Sequence, residues 1–187
     1  MMHYVRYIEL KRTIEDNTRL LMLYTQGDYR FIDEVLLWLE NVEKILRNNN
    51  LPEVSLVTGF RSEVMASGLK KVAVDSASKL QSNRKLQQSA GFEAISKTVD
   101  LLYPVLKKEH DRFAEAERVL MQVLSFANMK GYLQTYTGST LSQADLAKLW
   151  NTLSSDNDLR GGISNVEGMV GKYDSLIVLD QALSLFA

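Results

Sequence analysis

The chain contains no cysteine, and only two histidines and two prolines among its 187 residues. Without cysteine there is no disulfide framework, no thiolate metal cage and no thiol nucleophile, and two histidines leave too few ligands for most zinc sites. An excess of charge is missing too: 22 Lys and Arg stand against 23 Asp and Glu, a formal charge of −1. No global field therefore draws the protein onto nucleic acid, an acidic substrate or anionic lipid, and such a partner has to be met by a local patch. Long hydrophobic runs are lacking as well. The longest, Leu20 to Tyr24 and Val35 to Leu39, fall far short of the roughly 18 residues needed to cross a bilayer. Arg6, Glu9, Lys11 and Arg12 break any uncharged stretch that could serve as a secretory signal. The expectation is a cytoplasmic protein without a membrane partner.

What the chain does have is apolar material, 45% of its residues, enough for one substantial core in a single domain over residues 1–187. Its arrangement is helical throughout. His3, Tyr7, Leu10, Ile14, Asn17, Leu21 and Tyr24 alternate spacings of four and three, which places them along one side of a first helix. Gly27 interrupts it and Asp28 can cap a second helix, whose apolar face is Ile32, Val35, Leu36, Trp38, Leu39, Val42, Ile45 and Leu46. Asn48-Asn49-Asn50 ends that helix. Short breaks at Gly27 and at the asparagines predict antiparallel hairpins.

Pro52 suits the first turn of a third helix carrying Val57, Phe60, Val64 and Met65. The stretch 69–90 stays helix-like, and Gly91 is expected to punctuate it. Phe92, Ile95, Val99, Leu102, Leu106, Phe113, Ala116, Leu120, Val123 and Ala127 then continue one seam in a long helix over 92–129. Pro104 is expected to bend that helix by freeing the Asp100 carbonyl. Gly131, Gly138, Tyr132, Tyr136 and several Thr over 130–140 read as a loop. The core is thus expected over 2–129, with a C-terminal helical subregion over 141–187. Ser142 and Asp145 form a near capping box for the next helix, Ser154 to Asp158 a polar break, and the last helix is expected to start near Ile163. The fold class expected is all-α, an antiparallel helical bundle of about five to seven helices with one long Pro-kinked helix.

Chemistry is harder to find. No Glu-x-x-His pair on two helices supplies a di-metal carboxylate site. Glu109, His110 and Asp111 are adjacent near the kink, but they read more simply as a polar face of the long helix. Gly162, Gly168, Gly171 and Lys172 imitate a phosphate loop, yet Val166 stands where its first glycine is needed and Tyr173 where Ser or Thr should hold magnesium. Ser164, Gly168, Gly171 and Ser175 instead read as a small-residue stripe for close helix packing. Residues 141–148 and 163–167 resemble the two helices of a helix-turn-helix in pattern alone. The break between them is too long, and Lys148, Arg160 and Lys172 face six carboxylates over 137–187. Asn17 in the first seam is a candidate for fixing helix register.

The strongest charge asymmetry lies over 69–90, where Lys70, Lys71, Lys79, Arg84 and Lys85 face only Asp75. These five are candidate contacts to phosphate or to an acidic partner, although no aromatic interleaves them as a base-stacking platform requires. Trp38, Tyr132, Tyr136, Trp150 and Phe186 are candidate interface anchors, with a core position favoured for each Trp. The reading is a non-catalytic helical protein-protein interaction module, a small subunit or adaptor that associates with a protein partner or with itself. No catalytic residue, cofactor, metal or small-molecule substrate is expected. The alternative is an accessory nucleic-acid-binding subunit that grips the phosphate backbone through the basic helix without base specificity.

Overall fold

The computed structural model describes residues 2–69, 76–136 and 141–186, and the side chains among them except at 76–83 and 186. The fold is all-α, with no strand among the described residues. In chain order the helices are α1 (Tyr4–Glu15), α2 (Asn17–Thr25), α3 (Phe31–Asn48), α4 (Val54–Leu69), α5 (Ser76–Met129), α6 (Gln143–Ser155), α7 (Arg160–Val170) and α8 (Lys172–Phe186). None is long and apolar enough to cross a membrane. The chain divides into two compact units. One holds Met2 and residues 4–106, the other His3 and residues 107–187. The division falls within α5 rather than at the 130–140 segment, where the composition changes.

In the first unit α3 is the element against which α1, α2 and α4 pack. Its buried face, Phe31, Val35, Trp38, Leu39, Val42, Ile45 and Leu46, repeats at three and four residues as the sequence predicts. Glu43 shares that burial. A carboxylate there needs a counter-charge, and Arg61 of α4 supplies it with a fork, Nε to Oε1 at 2.7 Å and Nη2 to Oε2 at 3.3 Å. The two helices are joined by the expected asparagine turn. Asn49 donates its side-chain amide to the Ile45 carbonyl, and Asn50 takes the left-handed conformation at φ 53°, which asparagine tolerates better than most residues.

The first helix is not continuous. It breaks at Asp16, so the two pieces α1 and α2 bring the count to eight; taken as one interrupted rod they make seven. The cause lies 25 residues away. Trp38 donates its indole N–H to the Thr13 carbonyl at 2.6 Å, the carbonyl that an uninterrupted helix would offer to Asn17. The break also shifts the phase of the seam. Tyr7, Leu10 and Ile14 are buried as expected, but after the break it is Leu20, and not Asn17 or Leu21, that is fully enclosed. Asn17 is half-buried, its amide oxygen accepting from the neighbouring Thr18 hydroxyl, which is no register pin.

Gly91 does not punctuate either. It is buried inside α5, where a Cβ would stand 3.1 Å from Phe31 Cε1 and 3.2 Å from Ile32 Cδ1. Here glycine lets α5 press against the start of α3. The helix that sequence began at 92 is therefore already formed at Ser76, and it is helical on both sides of Pro104. Ala94, Ile95, Thr98 and Leu102 continue the same inward face, and Lys97 joins Glu63 of α4 and Glu93.

In the second unit α5 contributes Phe113, Ala116, Leu120, Val123, Leu124 and Ala127 to a core closed by α6, α7 and α8, which pack on one another. Gly131, at φ 80°, ends α5 with the Tyr132 N–H bonded to the Ala127 carbonyl, the C-terminal stop for which glycine is suited. The capping box of α6 is present in both directions, Asp145 N to Ser142 Oγ at 3.2 Å and Ser142 N to Asp145 Oδ2 at 3.1 Å. The expected small-residue stripe is not a packing seam. A Cβ on Gly168 meets open space, and Gly171 at φ 83° breaks the expected last helix into α7 and α8. Close approach occurs instead at Gly162, which lies against the Val123 side chain.

Two stability predictions follow from the first unit. Arg61→Met leaves Glu43 buried with only Arg47, 4.0 Å away, and is expected to lower unfolding free energy in urea by about 3 kcal/mol. The paired change Glu43→Leu with Arg61→Met is expected to lose less than the single one. Thr98 is fully buried, and its hydroxyl has no hydrogen-bond partner among the described residues. Thr98→Val keeps the shape and removes the stranded group, so stability should rise by about 1 kcal/mol in the same titration.

Candidate functional site

The aromatic candidates separate by burial. Trp38 is 4% exposed and Trp150 3%, so both are core residues, as the sequence favoured, and neither is a surface anchor. Tyr132 and Tyr136 are half-buried. The side chain of Phe186 lies outside the described residues. Of the basic candidates, Lys70 and Lys71 lie outside the described residues, as does the side chain of Lys79. Arg84 and Lys85 are exposed on α5, and no carboxylate pairs with either among the described residues.

The carboxylates near Pro104 do not converge. Glu109 is 9% exposed and pairs with Arg112 at 2.5 Å, while His110 and Asp111 are exposed. Successive residues on a helix point about 100° apart, so the three cannot face one cleft without leaving helical geometry. Arg112 is committed to structure. Its guanidinium stacks 4.3 Å above the Phe113 ring centroid and donates to the Met169 carbonyl at 3.1 Å, at the C-terminal end of α7 where a cation suits the helix dipole. Among the described residues no group of three or more His, Asp and Glu could hold a metal ion.

Sequence reasoning missed the densest polar cluster of the second unit. Just after α5, Lys130 donates to both oxygens of Asp156 at 2.8 Å and to Asp158 at 2.6 Å, and the Tyr132 hydroxyl donates to Asp156 at 2.9 Å. The same Asp156 carboxylate accepts the backbone N–H groups of Asp158 and Leu159, so it caps the approach to α7 while it holds the end of α5. Hydrogen bonds from Lys130 and Tyr132 draw the Asp156 carboxyl down to about 2. The reciprocal bonds raise the Lys130 ammonium and the Tyr132 phenol above their ordinary values. Residues 26 positions apart carry this cluster, so its only sequence signal is that Lys130 and the Asp156–Asp158 pair both stand at helix ends.

Beside it lies an open groove of about 820 Å³ between Tyr132 and the outer side of α6, lined there by Ala144, Ala147, Lys148, Asn151 and Ser155. The lining mixes two alanines with neutral polar side chains and one lysine, and the one strongly shifted group at its edge, Asp156, is saturated with donors. Such an arrangement offers contact area rather than proton transfer. A second hollow, about 440 Å³, lies along α5 over Ala114, Glu117, Arg118, Met121, Gln122 and Ser125. The Glu115–Arg118 pair flanks it at 2.6 Å, and the guanidinium lowers the Glu115 carboxyl.

No protein-family model, curated protein or solved structure matches the chain.

The Asp156 cluster predicts an acid response. Its folded pKa lies below the ordinary 3.8, so its contribution to stability is fully present above about pH 4 and is lost as pH falls through about 2. The gap in melting temperature between the wild type and Asp156→Ala should therefore be widest above about pH 4 and narrow toward pH 2. A gap independent of pH would show that the Lys130 contacts are without energetic weight.

Proposed function

We propose that the chain is a non-catalytic helical module that joins a protein partner, or a second copy of itself, through a helix face left bare by its own core. One observation carries this reading. Along the second-unit part of α5, Ala114, Met121, Ser125 and Met129 recur at helical spacing opposite the buried seam. On that side Phe126 is 58% exposed and Met129 75%. The hollow over Met121 lies nearer to Met129 than to Phe126, which stands about 140° round the helix from Met121. A phenylalanine and a methionine gain roughly 1.5–3 kcal/mol each when removed from water, so their joint exposure is a standing reason to associate. The Glu115–Arg118 pair supplies a polar rim, as interfaces commonly have.

Support also comes from how the ionisable groups are used. Three enclosed charged groups, Glu43, Arg112 and Asp156, are each engaged in holding one helix to another or to the turn beside it. That is how charge is spent in a scaffold, whereas a catalytic centre keeps a group of this kind turned toward substrate.

Light scattering after size-exclusion chromatography tests the reading. Phe126→Ser with Met129→Ser should leave the circular dichroism unchanged, because both side chains already face solvent. If the wild type self-associates, the double variant should run as a monomer. If the wild type is a monomer, the double variant should lose proteins that co-purify with the wild type from the native cell. A variant that leaves both mass and co-purifying proteins unchanged removes the basis for this reading.

A further inference from the structure

The basic stretch at 69–90 lacks an aromatic in sequence, but the fold brings one to it. Arg61 meets Glu43 across the asparagine turn, so α4 runs antiparallel to α3. Gly68 abuts Gln87 while Glu63 meets Lys97, so α5 runs antiparallel to α4. Hence α3 and α5 are parallel. With Gly91 seated on Phe31, the first residue of α3, the residues before Gly91 extend past the start of α3, toward the turn at 26–30. Arg84 is seven residues before Gly91, two turns or about 10.5 Å along the same face. It comes close enough to Asp28 that its charge helps to lower that carboxyl.

On that turn Tyr29 is 75% exposed, with the Arg30 guanidinium 5.9 Å from its ring centroid. Two of the acidic groups nearby are already answered: Asp28 forks with Arg30 at 2.8 Å, and Glu34 bonds Arg19 at 2.9 Å. Asp33 is exposed against Arg84 and Lys85, which make no direct ion pair among the described residues, although Arg84 is felt by Asp28.

We propose that this end of the first unit binds single-stranded nucleic acid, with Arg84 and Lys85 contacting phosphate oxygens and Tyr29 stacking on a base. A single strand fits better than a duplex, because only unpaired bases offer a face to an aromatic ring. A strand also answers ring and cations together, with a base on Tyr29 and its phosphates on Arg84 and Lys85; an acidic protein surface is the competing occupant that the test separates. The site is separate from the α5 face of Phe126 and Met129, so either proposal can fail without the other.

Fluorescence anisotropy with a labelled oligothymidine of about 20 nucleotides, over about 20 to 200 mM salt, is the test. Wild-type affinity should fall steeply with salt. Arg84→Ala with Lys85→Ala should weaken binding about tenfold or more at the low end and reduce the log–log salt slope by about 1.4, two contacts at 0.7 each. Tyr29→Leu should weaken binding about tenfold with the slope unchanged, and Tyr29→Phe should restore it. The proposal is overturned by undetectable binding at about 20 mM salt, by a slope indifferent to the paired charge change, or by equal affinity of Tyr29→Leu and wild type. It is overturned too if polyglutamate or phosphatidylserine vesicles compete for the protein more strongly than the oligonucleotide does, which would assign the surface to an acidic protein or a membrane.

Discussion

Glu43 is the one charged residue on the buried side of α3, and the arrangement of the first unit depends on where its counter-charge can come from. A carboxylate enclosed among Val42, Ile45 and Leu46 is tolerable only if a donor reaches it. The guanidinium of Arg61 does so with two bonds. A fork fixes direction as well as distance, so α4 cannot slide along α3 by a turn without losing one or both bonds, whereas the apolar contacts of Val57 and Val64 alone would accept a shift with less penalty. Once α4 is in register, its last turn sets where Gly68 meets Gln87, and through that contact where α5 passes α3.

The second unit solves the same problem at its helix ends. Arg112 reaches the terminal carbonyls of α7 through Met169, and Asp156 takes the free N–H groups before α7 while binding Lys130. Helix termini leave backbone groups without intrahelical partners, and here a side chain from α5 or its following turn is drawn to each end of α7. The 11-residue α7, too short to be stable alone in water, is thus held at both ends by polar bonds and along its length by Ile163, Val166 and Val170.

Much of this fold was legible because helical periodicity is a local property. The face of α3, the seam of α5 from Phe113 to Ala127 and the Ser142–Asp145 box all need only neighbours within one or two turns, and all are found where the spacing places them. Phe92, expected in the seam, is instead 40% exposed, and Ala94 and Thr98 are buried beside it. The errors share a different origin. The break at Asp16 is imposed by Trp38, and the continuity through Gly91 by Phe31 and Ile32, residues tens of positions away. Glycine itself is ambiguous in sequence, since the same residue permits a left-handed stop, as at Gly171, or a close helix approach, as at Gly91 and Gly162. Only the neighbour across the interface decides which. The Lys130–Asp156 cluster was invisible for the same reason, and Tyr29 was overlooked because nothing near it in sequence is as basic as the stretch the fold brings alongside.

That ambiguity bears on where function can reside. A residue used to hold two helices together is constrained by both, and Glu43, Trp38, Arg112 and Asp156 all lie at such places. Residues with no structural duty are conspicuous by contrast: Phe126 and Met129 keep apolar surface in water, Tyr29 projects from a turn, and Arg84 and Lys85 are exposed cations without a direct ion pair among the described residues. Each exposure has a cost or forgoes a gain, the aromatics in hydration and the cations in mutual repulsion. Stability within the chain gives no reason to keep them, since Ser or Gln would serve a solvent-facing helix or turn as well. A partner that covers the apolar face or answers the positive one, as proposed, would supply that physical reason.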